Sequence, residues 1–218
     1  MLIFFDGGKI MKTALQKVRR GLNTKLGFFL LTVLLFAIKS YWAYKTKFNL
    51  GISDSMQQFL LAFNTLPGAL VFLGIALYFR GRLSYWLMIL INFLLSTWLF
   101  ANILYYREFS DFITFNIIKG SGAASNNLGK SLMGIIKPTD FLVYADVIIL
   151  IVLLAAHFIR IDMRYFKVRY AMTITMIGFV LFGANLAMAE KDRPQLLTRT
   201  FDNNYIVKYL GLQAYTIY

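Results

Sequence analysis

The chain has 218 residues, 59% hydrophobic and 17% aromatic, with 23 lysines and arginines against 10 acids for a formal charge of +13. A mean hydropathy of +0.62, gathered into long apolar runs, excludes an ordinary soluble domain and reads as integral membrane protein. No cysteine and a single histidine, His157, rule out disulfides and thiolate or histidine metal clusters, while the positive charge reads as topology and headgroup contact rather than nucleic-acid binding.

Residues 1–25 read as a cytoplasmic tail. Its start, "MLIFFDGGKIM", matches neither a signal peptide nor a helix start. Either translation begins at Met11, giving "MKTALQKVRRG", or the first residues are a short extra tail. Five apolar runs then reach the about 20 residues that a helical crossing needs. They are residues 26–44, 57–79, 83–105, 140–159 and 170–189. Pro67-Gly68 in the second predicts a kink, with the freed carbonyl satisfied by a neighbouring helix. The runs are continuous rather than alternating, so they predict helices and not barrel strands. No internal repeat is visible, which speaks against an inverted-repeat transporter.

Between the third and fourth spans, Phe109, Phe112, Ile113, Phe115, Ile117 and Ile118 form an apolar face. A "GSGAASNN" link and a second apolar stretch, Leu132 to Ile136, precede Pro138. This pattern predicts two short helices lying in the membrane interface. With the N-terminus inside, 12 lysines and arginines fall in 38 inner residues and 10 in 75 outer ones. That density predicts a cytoplasmic N-terminus and an extracellular C-terminus. Tyr41, Trp42, Tyr44, Tyr105, Tyr106 and Tyr144 fit an aromatic belt at the outer interface, and His157 fits an interface residue near Arg160.

Polar side chains inside spans are costly and need a partner or a wet cavity. Lys39 and Asp146 fall at nearly the same depth, which predicts an ion pair. Asn64, Asn102 and Asn185 lie in the outer halves of their spans, beneath Arg107, Glu108, Glu190, Asp192 and Arg193. A channel needs polar lining near the midplane with access from both sides, whereas this one-sided cluster suits a lipid headgroup entering from the outer leaflet. Interhelical hydrogen bonding is the plainer reading of each asparagine taken alone.

Residues 190–218 form an extracellular juxtamembrane connector. Six of its residues from Glu190 to Asp202 are charged, yet it lacks the Gly/Ser enrichment of a flexible linker. Asp192 followed by Pro194 suits a helix start. Leu196, Leu197, Tyr205, Ile206, Tyr209 and Leu210 give apolar faces that can lie on the membrane. Glu190, Asp192, Arg193, Arg199 and Asp202 are left for headgroups, the 106–139 loop or a further domain. "LAMA" at 186–189 offers a signal-peptidase pattern of low weight. No metal-ligand spacing, activated nucleophile or phosphate loop occurs.

"AEKDRPQLLTRTFDNNYIVKYLG" with "YTIY", "IKSYWAY" with "FNLGI", and "LLSTWLFANILYYREFSDFITF" closely resemble the lipoteichoic acid synthases, in order and in spacing over residues 25–218. The resemblance implies five transmembrane helices, a linker, and a large extracellular domain of the sulfatase type with a threonine nucleophile and manganese. That domain takes glycerol phosphate from phosphatidylglycerol and extends a glycolipid-anchored polymer, leaving diacylglycerol. The catalytic domain is absent from these 218 residues, so Thr198, Thr200 and Thr216 are not its nucleophile. The chain is read as a fragment, a truncated frame or a domain handled alone, without a catalytic residue or cofactor of its own. The expected fold is all-α: five spans, with short interfacial helices in the outer loop and the connector. The candidate polar cluster is Lys39, Asn102, Arg107, Glu108, Asp146, Asn185 and Arg193. A stand-alone lipid-binding or lipid-translocating protein is the alternative.

Overall fold

The computed structural model describes residues 21–114, 134–196 and 203–217. Among them five helical segments are long and apolar enough to cross a membrane. The first is α1 (Lys25–Thr46). The second is broken into α2 (Ser55–Phe63), α3 (Thr65–Gly74) and a 3-10 turn (Ile75–Tyr78). The third is α4 (Gly81–Phe109). A 3-10 helix (Pro138–Tyr144) running into α5 (Ala145–Ala155) makes the fourth, and α6 (Val168–Asp192) the fifth. Two short helices follow, α7 (Asn203–Leu210) and α8 (Leu212–Ile217).

The spans alternate in direction. One end of the bundle, here the near end, carries Lys25, Tyr78, Gly81, Ala155 and Val168; the far end carries Thr46, Ser55, Phe109, Pro138 and Asp192. Local chemistry sets the helix limits. Thr24 caps α1 by accepting the Gly27 N–H at 3.0 Å. Ser110 stops α4 by turning left-handed at φ 52°, where its N–H still reaches the Tyr106 carbonyl at 2.8 Å.

The second span breaks at Asn64, one turn ahead of Pro67. Proline brings no N–H to the carbonyl four residues back and its ring crowds that carbonyl, so the distortion falls before the proline rather than on it. Thr65 patches the break by donating to the Ala62 carbonyl at 2.8 Å.

Packing separates a lipid-facing stripe from a core. Leu26, Leu30, Leu34 and Ile38 recur every fourth residue of α1 and are exposed, whereas Phe28, Phe29, Phe36 and Ala43 are buried. One core cluster gathers Phe28, Phe36, Leu73, Tyr85 and Met88; a second, at the far end, gathers Tyr44, Phe48, Phe112, Tyr209 and Leu210. Small residues let α3 approach α6 closely. A Cβ on Gly178 would sit 2.8 Å from Val71 Cγ2, so glycine is needed there.

Three details differ from the sequence reading. Phe109 belongs to the last turn of α4, and the chain then folds inward to bury Phe112 among the rings of Phe48, Tyr106 and Tyr215. Most of the expected pair of loop helices lies outside the described residues. Pro138 opens the 3-10 helix of the fourth span instead of closing a loop helix, consistent with proline's fit to a first turn. Ile206, Tyr209 and Leu210 turn into the bundle core rather than onto lipid, because the broken second span leaves room for α7 beside it. His157 lies exposed just beyond α5, which ends at Ala155.

Candidate functional site

Two polar assemblies stand out among the described residues. The first lies inside the bundle. Lys39 Nζ donates to Asp146 Oδ2 at 2.6 Å, to Ser96 Oγ at 2.6 Å and to Asn92 Oδ1 at 3.3 Å. Asn92 Nδ2 donates to the same carboxylate oxygen at 2.8 Å. Three spans thus contribute to one buried ion pair. Its charges are paired through Asp146 Oδ2, as the low dielectric favours, while Asp146 Oδ1 is buried without a hydrogen-bond partner among the described residues.

The second assembly holds the C-terminal segment at the far end. The last carbonyls of any helix lack an intrahelical donor. In α7 those of Lys208 and Tyr209 receive side-chain amides from two different spans: Asn64 Nδ2 reaches Lys208 O at 3.0 Å and Asn185 Nδ2 reaches Tyr209 O at 2.9 Å. Gly211 follows at φ +84°, a left-handed residue that returns its N–H to Val207 O at 2.9 Å. Tyr44 of α1 accepts the Leu212 N–H at 3.0 Å, and Trp98 of α4 donates to Thr216 Oγ1 at 2.9 Å. Asn203 Nδ2 also reaches Asp111 Oδ1 at 2.8 Å. Each hydrogen bond contributes about 1 kcal/mol net, so their value here is geometric: α1, the second span, α4 and α6 all grip residues 203–217.

Two titratable groups sit in this grip. Lys208 is 2% exposed and donates to Gly51 O at 3.1 Å and Gln57 Oε1 at 3.2 Å. Burial holds its ammonium below the usual lysine range and nearby Arg193 adds to this, while Asp192 and Asp54 act the other way. The Tyr209 hydroxyl donates to Asp192 Oδ2. Burial first, then that hydrogen bond to a carboxylate, pushes its pKa up to about 12.

The residues singled out from the sequence do not form one site. Lys39 and Asp146 meet each other. Asn102 accepts the Ile113 N–H at 2.9 Å and fixes the inward turn after α4. Arg107 forks onto Asp140, with both nitrogens at 2.8 Å, and Lys47 joins the same carboxylate at 2.8 Å. Glu108 is exposed. Asn185 belongs to the grip on α7 and Arg193 lies 4.8 Å from the Tyr205 ring; Asp192 closes α6 and Pro194 lies in the turn after it, so the helix start expected at Asp192 and Pro194 is instead a helix end. Arg199 and Asp202 lie outside the described residues. Sequence reasoning missed Asp140, Lys208 and Tyr209. Asp140 had one usable signal, an acid beside a helix-starting proline in "KPTD". Among the described residues no group of three or more potential metal ligands gathers.

Five apolar spans, a buried ion pair and a gripped C-terminal segment define a multi-pass membrane domain. The chain belongs to the lipoteichoic acid synthase N-terminal domain family, whose model matches residues 11–218. It is similar to lipoteichoic acid synthase 1 of Bacillus subtilis, at 50% identity over 196 residues covering 89% of this chain and 30% of that protein. Synthase 2 of the same species is 43% identical over 200 residues, covering 88% and 29%. The lipoteichoic acid synthase of Staphylococcus saprophyticus is 36% identical over 203 residues, covering 93% and 31%. The chain therefore spans about 30% of the length of these relatives. No solved structure matches it.

Proposed function

We propose that this chain is the membrane-embedded part of a phosphoglycerol transferase, holding an extracellular catalytic domain at a fixed position over the bilayer. In this reading the near end is cytoplasmic, the far end is extracellular, and the far end faces phosphatidylglycerol. Glycerol phosphate passes from that lipid to a glycolipid-anchored polymer in the extracellular domain. The manganese and the threonine nucleophile implied by the resemblance belong to that domain, and no step of the transfer is carried by residues described here.

One observation carries the reading: four spans each give a polar side chain to residues 203–217. A tether that only kept an enzyme near the membrane has no need of such a grip, whereas a part that sets direction does. Buried pairing of Lys39 with Asp146 favours a structural role for those two, so headgroup contact falls to Glu108, Arg193 and the other groups of the far end. The test uses a full-length synthase carrying this domain. Asn64→Ala, Asn185→Ala and Lys208→Met together loosen the segment. Polymer synthesis in membranes should then fall while hydrolysis of a soluble phosphoglycerol ester by the same protein persists. Unchanged polymer synthesis with a demonstrably loosened segment would refute the positioning role.

A further inference from the structure

A cavity of about 520 Å³ opens at the near end of the bundle, between the start of α4 and the turn that follows α5. Arg82 and Trp86 stand one turn apart on the same face of α4, and His157, Arg160 and Ile161 line the other side. The volume lies within the roughly 300–1,000 Å³ range of pockets that hold a small ligand. Hydrogen bonds hold the wall after α5 in place. The Ile159 N–H donates to Leu153 O at 3.2 Å, the Arg160 N–H to Asn23 Oδ1 at 2.9 Å, and the Asp162 N–H to Tyr85 Oη at 3.0 Å. His157 makes the turn at φ 54°, a left-handed conformation that histidine enters more readily than most residues. Its Nδ1 donates to the Ala155 carbonyl at 2.9 Å.

The charge of the lining narrows the ligand. Two guanidiniums and an imidazole line the cavity, and no carboxylate does. Among the described residues the ion pairs are those of Asp140 and Asp146, so neither Arg82 nor Arg160 has one. Asp162, the acid nearest in sequence, instead accepts the Arg164 N–H at 2.9 Å and acts on the Lys25 ammonium. Like charges around one cavity repel, and an anion between them removes that cost. The guanidinium fork matches phosphate oxygens in particular. The apolar part of the lining says where such a phosphate would come from. Arg82, Trp86, Leu90 and Leu94 recur every fourth residue of α4, and the last three are 54%, 50% and 57% exposed. Phe93 packs 5.7 Å from the Tyr144 ring, so the stripe runs beside the fourth span. A soluble anion has no use for that stripe, whereas an acyl chain does.

We propose that this cavity holds the phosphate of a net-anionic phospholipid from the leaflet at the near end, with Arg82 and Arg160 donating to its oxygens and an acyl chain lying along Trp86, Leu90 and Leu94. A zwitterionic headgroup would bring a cation of its own between the two arginines, so net negative charge is required. Diffuse attraction of surface cations to a charged leaflet needs no cavity; here the bound phosphate joins the first turn of α4 to the turn after α5. The site lies at the end of the bundle opposite the gripped C-terminal segment. The inference therefore goes beyond the positioning role and stands without it.

The test is photo-crosslinking of the purified chain in phosphatidylcholine vesicles, using a phosphatidic acid with a diazirine near the head of one acyl chain. Labelling should map to residues 82–90 or 154–163. Arg82→Gln and Arg160→Gln should each reduce it about tenfold, the scale of one charge-assisted hydrogen bond. Arg169→Gln removes the same charge from an exposed position outside the cavity and should leave labelling unchanged. Circular dichroism confirms that the variants are folded. On the unaltered protein, the same probe stripped of its phosphate should label these residues about tenfold less. Excess sodium phosphate at constant ionic strength should not displace the probe. An equal loss in Arg169→Gln would reduce the site to surface charge, and displacement by sodium phosphate would assign it to a soluble anion. Either result, equal labelling without the phosphate, or no labelling at these residues would overturn the proposal. Polymer synthesis is not read, so this result is separate from the fate of the positioning role.

Discussion

Lys39 Nζ lies 2.6 Å from Asp146 Oδ2, and each side chain is only 5% exposed. Inside a bundle of apolar helices such a pair is a constraint more than a gain. Two charges withdrawn from water roughly offset their own attraction, but either one left alone is severely unfavourable.

Removing one partner should therefore cost far more than removing both. Lys39→Met or Asp146→Leu alone is expected to lower stability by about 3–5 kcal/mol. The double variant should recover most of that loss, a coupling that a double-mutant cycle measures directly. Unfolding in mixed micelles, followed by circular dichroism, gives the three values. Additive losses would show that the two side chains do not depend on each other.

The far end has its own charged knot around Asp140, whose carboxylate is fully buried and accepts from Arg107, Lys47 and the Lys137 N–H. Arg107→Lys keeps the charge and loses the fork, and is expected to cost about 1–3 kcal/mol. Asp140→Asn leaves two cations facing a neutral amide and should cost more, about 3–5 kcal/mol. The ranking, read from midpoints of thermal unfolding, is the check.

Much of this architecture was legible in the apolar runs. Their length and continuity define the five crossings to within a few residues, and Pro67 announces the break in the second. Lys39 and Asp146 were legible as a pair because equal depth in neighbouring spans leaves each few other partners. Lys208 was not. In "NNYIVKYL" a lysine reads as a solvated face, and only the docking of α7 against the 49–57 region buries it. Asn64 and Asn185 were visible as polar groups at depth, but their partners are helix-end carbonyls. Every residue carries a carbonyl, so sequence alone does not say which ones an asparagine will meet.

Gly211 joins α7 to α8 in a left-handed conformation at φ +84°, with an imagined Cβ 3.2 Å from the Asn64 amide. Gly211→Ala should destabilise the segment by about 1–2 kcal/mol from backbone conformation alone. Faster amide exchange confined to residues 203–217, with the five spans unchanged, is the expected signature. Uniform exchange along the chain would place the strain elsewhere.

Alkali gives a further check on the same segment. Tyr209 holds its proton up to about 12, against an ordinary value of 10.0. The unfolded chain loses that proton first, so this contribution is intact below pH 10 and is lost as pH rises toward 12. Lys208 works in the opposite sense. Its lowered folded-state value makes charging a cost that disappears as pH climbs toward 10.5. Tyr209→Phe should flatten the decline in thermal midpoint above pH 10, and Lys208→Met should remove the opposing rise.

The proposed role of the C-terminal segment requires the far end of the bundle to face outward. The chain has 0 cysteines, so single ones can be introduced without removing any. Ser53→Cys marks the far end and Arg160→Cys the near end, both at exposed positions. A membrane-impermeant maleimide applied to intact cells should label the Ser53→Cys protein at once and the Arg160→Cys protein only after lysis. The reverse pattern would put the gripped C-terminal segment in the cytoplasm and contradict the proposed role.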